Sequence, residues 1–172
     1  MKLTTERIHE LLALLNAELA HTGVRGELYL AGGAVMCLVF HAREATKDID
    51  ALLVPAADLR KAAQAIALKE GLPDHWLNEA VKGFFSANGR FDVFEEMSHL
   101  RIHVPHPEYL LAMKCLALRM GEEYQDLQDI KVLIHAIGLK TLAEAEAILK
   151  RYYALDRYPA RAQYVLEELL GN

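Results

Sequence analysis

Residues 29–54, YLAGGAVMCLVFHAREATKDIDALLV, constrain the fold more than any other stretch of the chain. An apolar run reaches Gly32-Gly33, a segment of helical length follows, and a second apolar run opens with Asp48-Ile49-Asp50. Strand, glycine turn, helix and strand in that order predict an α/β body. Residues i and i+2 of a strand share a face, so Asp48 and Asp50 project together while Ile49 points to the buried side. Glycines at 32 and 33 allow a turn without Cβ atoms, opening a helix whose first N–H groups have no partners within the helix.

This arrangement has a chemistry. Two carboxylates side by side repel each other unless a cation lies between them. Their hard oxygen donors suit Mg²⁺ or Mn²⁺. Free N–H groups at a helix start favour phosphate. A phosphate cradle beside a metal clamp is the equipment of phosphoryl or nucleotidyl transfer. A single Gly-Gly is usually only a turn, and a single Asp-x-Asp is a frequent accident; it is their order in one segment that points to a site.

Gly32-Gly33-Ala34 followed by Thr46-Lys47-Asp48-Ile49-Asp50 resembles the Gly-Gly/Gly-Ser…Asp-x-Asp signature of the polymerase β-like nucleotidyltransferase superfamily. More narrowly, it resembles the small bacterial members related to AbiEii-type toxins. The later residues Tyr109, Lys114, Arg119, Asp126, Asp129 and Ile130 are similar to the Lys…Arg…Asp-x-x-Asp helical motif of that branch, and the likeness covers most of residues 26–135. It implies an α+β fold: a small mixed β-sheet with flanking helices, followed by a helical C-terminal half. It implies a nucleoside triphosphate substrate, with Mg²⁺ or Mn²⁺ held by Asp48 and Asp50. Gly32, Gly33 and Thr46 would lie against the phosphates, with Arg43 in support. Lys114 and Asp129 would take part in activity, with Asp126 beside them. Many members add a third metal-binding carboxylate from a neighbouring strand; Asp92 is the candidate here, with Glu95 and Glu96 competing for the part. The acceptor implied is a tRNA 3′ end or a protein hydroxyl, and an antitoxin is an implied partner. One departure is Ala34, where many members carry a serine that helps hold phosphate.

Lys114 has a second reading from the residues alone. It interrupts an otherwise apolar helical segment, where a lysine must reach water or meet an anion. Asp126 and Asp129, three apart, share a helix face. An antiparallel pairing of the two helices makes a salt bridge to either one, and such a bridge is compatible with a lysine that also binds phosphate.

Composition narrows the alternatives. The chain has 172 residues, 53% of them hydrophobic and 25% charged, which is a globular composition. A net charge of −5 argues against strong non-specific nucleic-acid binding and keeps a small-molecule acceptor open. Arg43, Lys47, Lys82 and Arg90 are the candidates for a local basic patch. No apolar run approaches the roughly 20 residues that cross a bilayer, and the N-terminus does not read as a signal peptide. Cys37 and Cys115 lie in apolar surroundings with no C-x-x-C spacing, as expected of reduced core residues in a cytoplasmic protein. His99, His103 and His106 read as strand and turn residues too far apart for a zinc site. A catalytically weak relative serving as a binding partner, and a metal-dependent phosphohydrolase, are the competing functions.

Periodicity predicts helices at 5–20, 33–41, 59–69, 107–120, 124–137, 142–153 and 160–170, and strands at 27–31, 48–54, 91–95 and 100–104. Asp58 is the expected cap of the third helix. A short helix around Trp76 to Glu79 is expected over the site, with Trp76, Phe84 and Phe85 as base-stacking candidates. The expected division is an α/β body over 1–104 and a helical region over 105–172, packed as a single unit.

Overall fold

β1 (Leu3–Thr4) runs directly into α1 (Thr5–Thr22), where Ile8, Leu11, Leu12, Leu15 and Leu19 recur at helical spacing and are buried along one side. Thr4 caps this helix by accepting the Arg7 N–H, and Gly23 ends it in the left-handed region at φ 73°. The computed structural model describes residues 1–118 and 123–171. The fold of these residues is mixed α/β, with seven α-helices, a mixed five-stranded sheet and a two-stranded sheet.

The chain continues through β2 (Gly26–Ala31), α2 (Gly32–Leu38), β3 (Ala45–Thr46), β4 (Ile49–Val54) and α3 (Ala56–Glu70). After β5 (Leu77–Asn78) come β6 (Phe91–Glu96) and β7 (Leu100–Pro105). The larger sheet has the order β5-β4-β2-β7-β6. Within it, β2 is antiparallel to β4 and parallel to β7, β4 is parallel to β5, and β6 is antiparallel to β7. Leu28, Leu30, Ile49, Ala51, Leu53, Leu100 and Ile102 are buried on one face, and α1 and α3 pack together on this part of the chain. β1 and β3 form the two-stranded sheet, with Leu3 opposite Thr46.

Several expectations need correction. α2 stops at Leu38, short of His41. Pro55, not Asp58, stands at the cap of α3; Asp58 falls in its first turn, where a carboxylate still favours the positive end of the helix. The stretch around Trp76 forms β5, an edge strand, because Leu77 and Asn78 pair with Ile49 and Asp50. β1 and β3, two residues each, carry no periodicity of their own and lie outside the expected strands.

Pro107 opens α4 (Pro107–Leu116) from its first turn, and α5 (Glu123–Ile137) follows. The expected extension of α4 to Met120, like Arg119, lies outside the described residues. α6 (Leu142–Tyr152) carries a complete capping box: Thr141 accepts the Glu144 N–H, and the Glu144 carboxylate accepts the Thr141 N–H. α7 (Ala160–Leu170) is the last helix. No helix among the described residues is long and apolar enough to cross a membrane.

By its contacts the chain divides into two compact units: Met1–Gly83 with Phe91–Pro105, and Phe84–Arg90 with His106–Asn172. A division at 104/105 has the chain change unit once; the observed units exchange it at three places. Phe84–Arg90 belongs to the helical unit through specific bonds. Ser86 N–H donates to the Tyr109 hydroxyl at 2.8 Å, Ser86 Oγ donates to the Tyr152 carbonyl, and the Tyr153 hydroxyl donates to the Phe84 carbonyl.

Candidate active site

The site grows out of the end of β2. Gly32 follows Ala31 with φ +67°, and a Cβ there would lie 2.5 Å from Asp50 Oδ2. Both the dihedral and the space therefore require glycine. At Gly33 a Cβ would lie 2.6 Å from Thr46 Oγ1 and 2.9 Å from Arg43 Nη1. The Gly-Gly turn is thus a floor on which the Asp50 carboxylate, the Thr46 hydroxyl and the Arg43 guanidinium rest. Five of the residues singled out from sequence meet here.

Strand pairing brings in the rest. Asp50 is the register partner of Ala31 on β2 and of Asn78 on β5. Ile49, between the acids, is fully buried, while Asp48 and Asp50 are half-buried on the other face. Asp48 Oδ2 accepts a hydrogen bond from Asn78 Nδ2 at 3.3 Å. Asn78 escaped sequence reasoning because it lies thirty positions from Asp48 and no local pattern marks it. Thr46 is held on β3 and is almost fully buried. An open cavity of about 380 Å³ flanks Arg43, between it and the start of α1 at Thr4 and Thr5.

Asp92 does not join this group. It pairs with Val104 on β7, and β7 and β2 both stand between β6 and β4. Three strand spacings separate them, about 14 Å. Register also puts Asp92 on the face of Ile102 and Leu28, whereas Asp50 shares the face of Ala31 and Tyr29. On that second face β7 presents His103, whose ring stacks on Tyr29 at 4.3 Å and whose Nε2 lies 3.0 Å from Glu27 Oε1. Glu96 is bonded to Arg101.

Lys114 and its acids lie in the helical unit. Lys114 Nζ donates to Asp129 Oδ2 at 2.6 Å and stands 3.9 Å from Asp126 Oδ1. The Lys114 and Asp129 side chains are only 10% and 2% exposed. This is the salt bridge that the helical spacing allowed. Trp76 is fully buried, its ring N–H donating to the Ala63 carbonyl, so it is not a stacking surface. Phe84 and Phe85 belong to the helical unit.

No group of three or more His, Cys, Asp or Glu side chains among the described residues is placed to hold a metal ion. Two carboxylates fit Mg²⁺ nonetheless, because that ion commonly takes one or two protein carboxylates and completes its octahedron with phosphate oxygens and water. The donors are hard oxygens on one face, and Asp50 Oδ2 occupies the space that a side chain on Gly32 would fill. Compared with family models, with curated proteins and with solved structures, the chain matches none.

Proposed function

We propose that the first unit is a metal-dependent nucleotidyltransferase of the polymerase β-like kind, moving a nucleoside monophosphate from a triphosphate to an acceptor hydroxyl. One observation carries this reading: Asp50 Oδ2 is seated against Gly32, with Asp48 on the same face and Thr46 and Arg43 over Gly33. A phosphate cradle and a cation clamp thus share one corner. Asp48 and Asp50 would hold Mg²⁺ or Mn²⁺, which supplies Lewis-acid charge where negative charge develops on the phosphates. The Gly32-Gly33 backbone seats Asp50, Thr46 and Arg43 closely, and the Arg43 guanidinium supplies positive charge for phosphate oxygens beside the acids. α2 is short, so its dipole contributes little and the turn's own N–H groups carry the contact. The acceptor hydroxyl attacks the α-phosphorus in line and pyrophosphate leaves. Lys114 and Asp129, paired at 2.6 Å within the helical unit, are the further candidates for activity that the resemblance names.

A second reading is favoured by two observations. Ala34 is fully buried where many members of the superfamily carry a phosphate-binding serine, and Asp92 stands far from the other acids. Both suit a catalytically weak relative that binds a partner, such as an antitoxin, without turnover.

Incubation with α-labelled nucleoside triphosphates, Mg²⁺ or Mn²⁺, bulk tRNA and total protein separates the readings. The first expects label on RNA or protein with the unaltered chain and none with the Asp48→Ala/Asp50→Ala double variant. Phosphate release without label transfer would identify a phosphohydrolase. No transfer, together with no metal-dependent triphosphate binding, would favour the binding partner.

A further inference from the structure

The geometry points to Asn78 as a positioning residue for Asp48, holding one carboxylate oxygen so that the other is presented to a divalent cation. This assignment rests on the metal-dependent reading above. The carboxamide has a single orientation consistent with its neighbours. Its Oδ1 accepts the Ala80 N–H at 3.0 Å, and its Nδ2 donates to the His75 carbonyl at 3.1 Å. Reversing the amide would set donor against donor and acceptor against acceptor. The NH₂ group therefore faces Asp48 Oδ2, 3.3 Å away.

The surrounding segment is built to deliver this group. The Ile49 N–H donates to the Trp76 carbonyl at 2.7 Å, and the buried Trp76 ring is bonded to Ala63. β5 ends at Asn78, and the Glu79 side chain takes over the vacated ladder position by accepting the Leu53 N–H. The other Glu79 oxygen accepts from Arg60 Nε at 3.0 Å. The edge strand is thus pinned on both sides of the residue beside the acids. An amide suits the place. It donates without charge, whereas a carboxylate would add a third anion and a lysine would compete with the cation. Bonding one oxygen of a ligating carboxylate to fix the other is the usual outer-shell device of metal sites.

Asn78→Ser tests the assignment. A serine hydroxyl can still accept an N–H two residues on, keeping the turn, but is too short to reach Asp48. Calorimetric titration of the full chain with Mn²⁺ should show about tenfold weaker binding, with the melting transition retained. In an Asp48→Asn background the same change should cost nothing further, since Asn78 acts through Asp48. Unchanged Mn²⁺ affinity in folded Asn78→Ser, or fully additive losses in the double variant, would overturn the assignment. A readout that leaves residue 78 intact is the Asn78 side-chain amide resonance without metal, which should move in Asp48→Asn. A resonance that stays in place would also overturn it. If the unaltered chain binds no Mn²⁺, the metal reading fails and the assignment with it, a result distinct from the others.

Discussion

Gly32 shows how narrowly one residue can be specified. Its φ of +67° and the Asp50 oxygen over it leave no place for a methyl group. Gly32→Ala should therefore destabilise the fold by about 1–3 kcal/mol and displace Asp50 from the turn. Gly83→Ala, where a Cβ meets nothing within 4 Å, should be nearly silent. Chemical denaturation of the two variants side by side checks the contrast. Lys114 offers a second test. Lys114 is buried against Asp129 at 2.6 Å and Asp126 at 3.9 Å, so Lys114→Met should destabilise the fold, by about 1–3 kcal/mol. Lys114→Met/Asp129→Leu should recover part of that loss. A role of the Lys114–Asp129 pair in activity would appear instead as activity that the double variant fails to regain along with its stability.

At the level of elements, the Thr141–Glu144 box links stability to acidity. Hydrogen bonds from the Lys140 and Thr141 N–H groups hold the Glu144 carboxyl below its usual range. A depressed folded value stabilises the fold above the unfolded pKa, and that contribution fades as pH falls through the folded one. Glu144→Gln should thus melt below the unaltered chain at pH near 7, and the gap should close in acid. Elements of this kind were legible in sequence because their determinants are local. The leucine spacing of α1, Gly71 capping α3 in the left-handed region, Pro107 in the first turn of α4 and Thr141 before α6 all act within a turn or two. β1, β3 and β5 were not legible, since two residues become a strand only through partners far along the chain. The site divided in the same way. The shared face of Asp48 and Asp50, either side of buried Ile49, follows from strand periodicity. Asn78 and the distance of Asp92 depend on strand order, which no local pattern encodes.

For the whole molecule, the segment Phe84–Arg90 decides how the chain can be divided. It lies between residues of the first unit in sequence, yet its bonds go to Tyr109, Arg151, Tyr152 and Tyr153. A fragment of residues 106–172 lacks it and leaves those groups without these partners. That fragment should melt at lower temperature and less cooperatively than one beginning at residue 84, as read by circular dichroism. Buried Cys115, whose thiol burial pushes up to about 12, gives a parallel chemical readout: it should resist thiol reagents until the helical unit opens.

Trp76 has a use beyond packing. It is the only tryptophan in the sequence, and its carbonyl is bonded to the N–H of Ile49, the residue between the two acids. Whatever shifts Asp48 and Asp50 pulls on that bond and on the indole behind it. Tryptophan emission, excited selectively over the seven tyrosines, is therefore an unlabelled optical gauge of this corner, with a single indole to interpret.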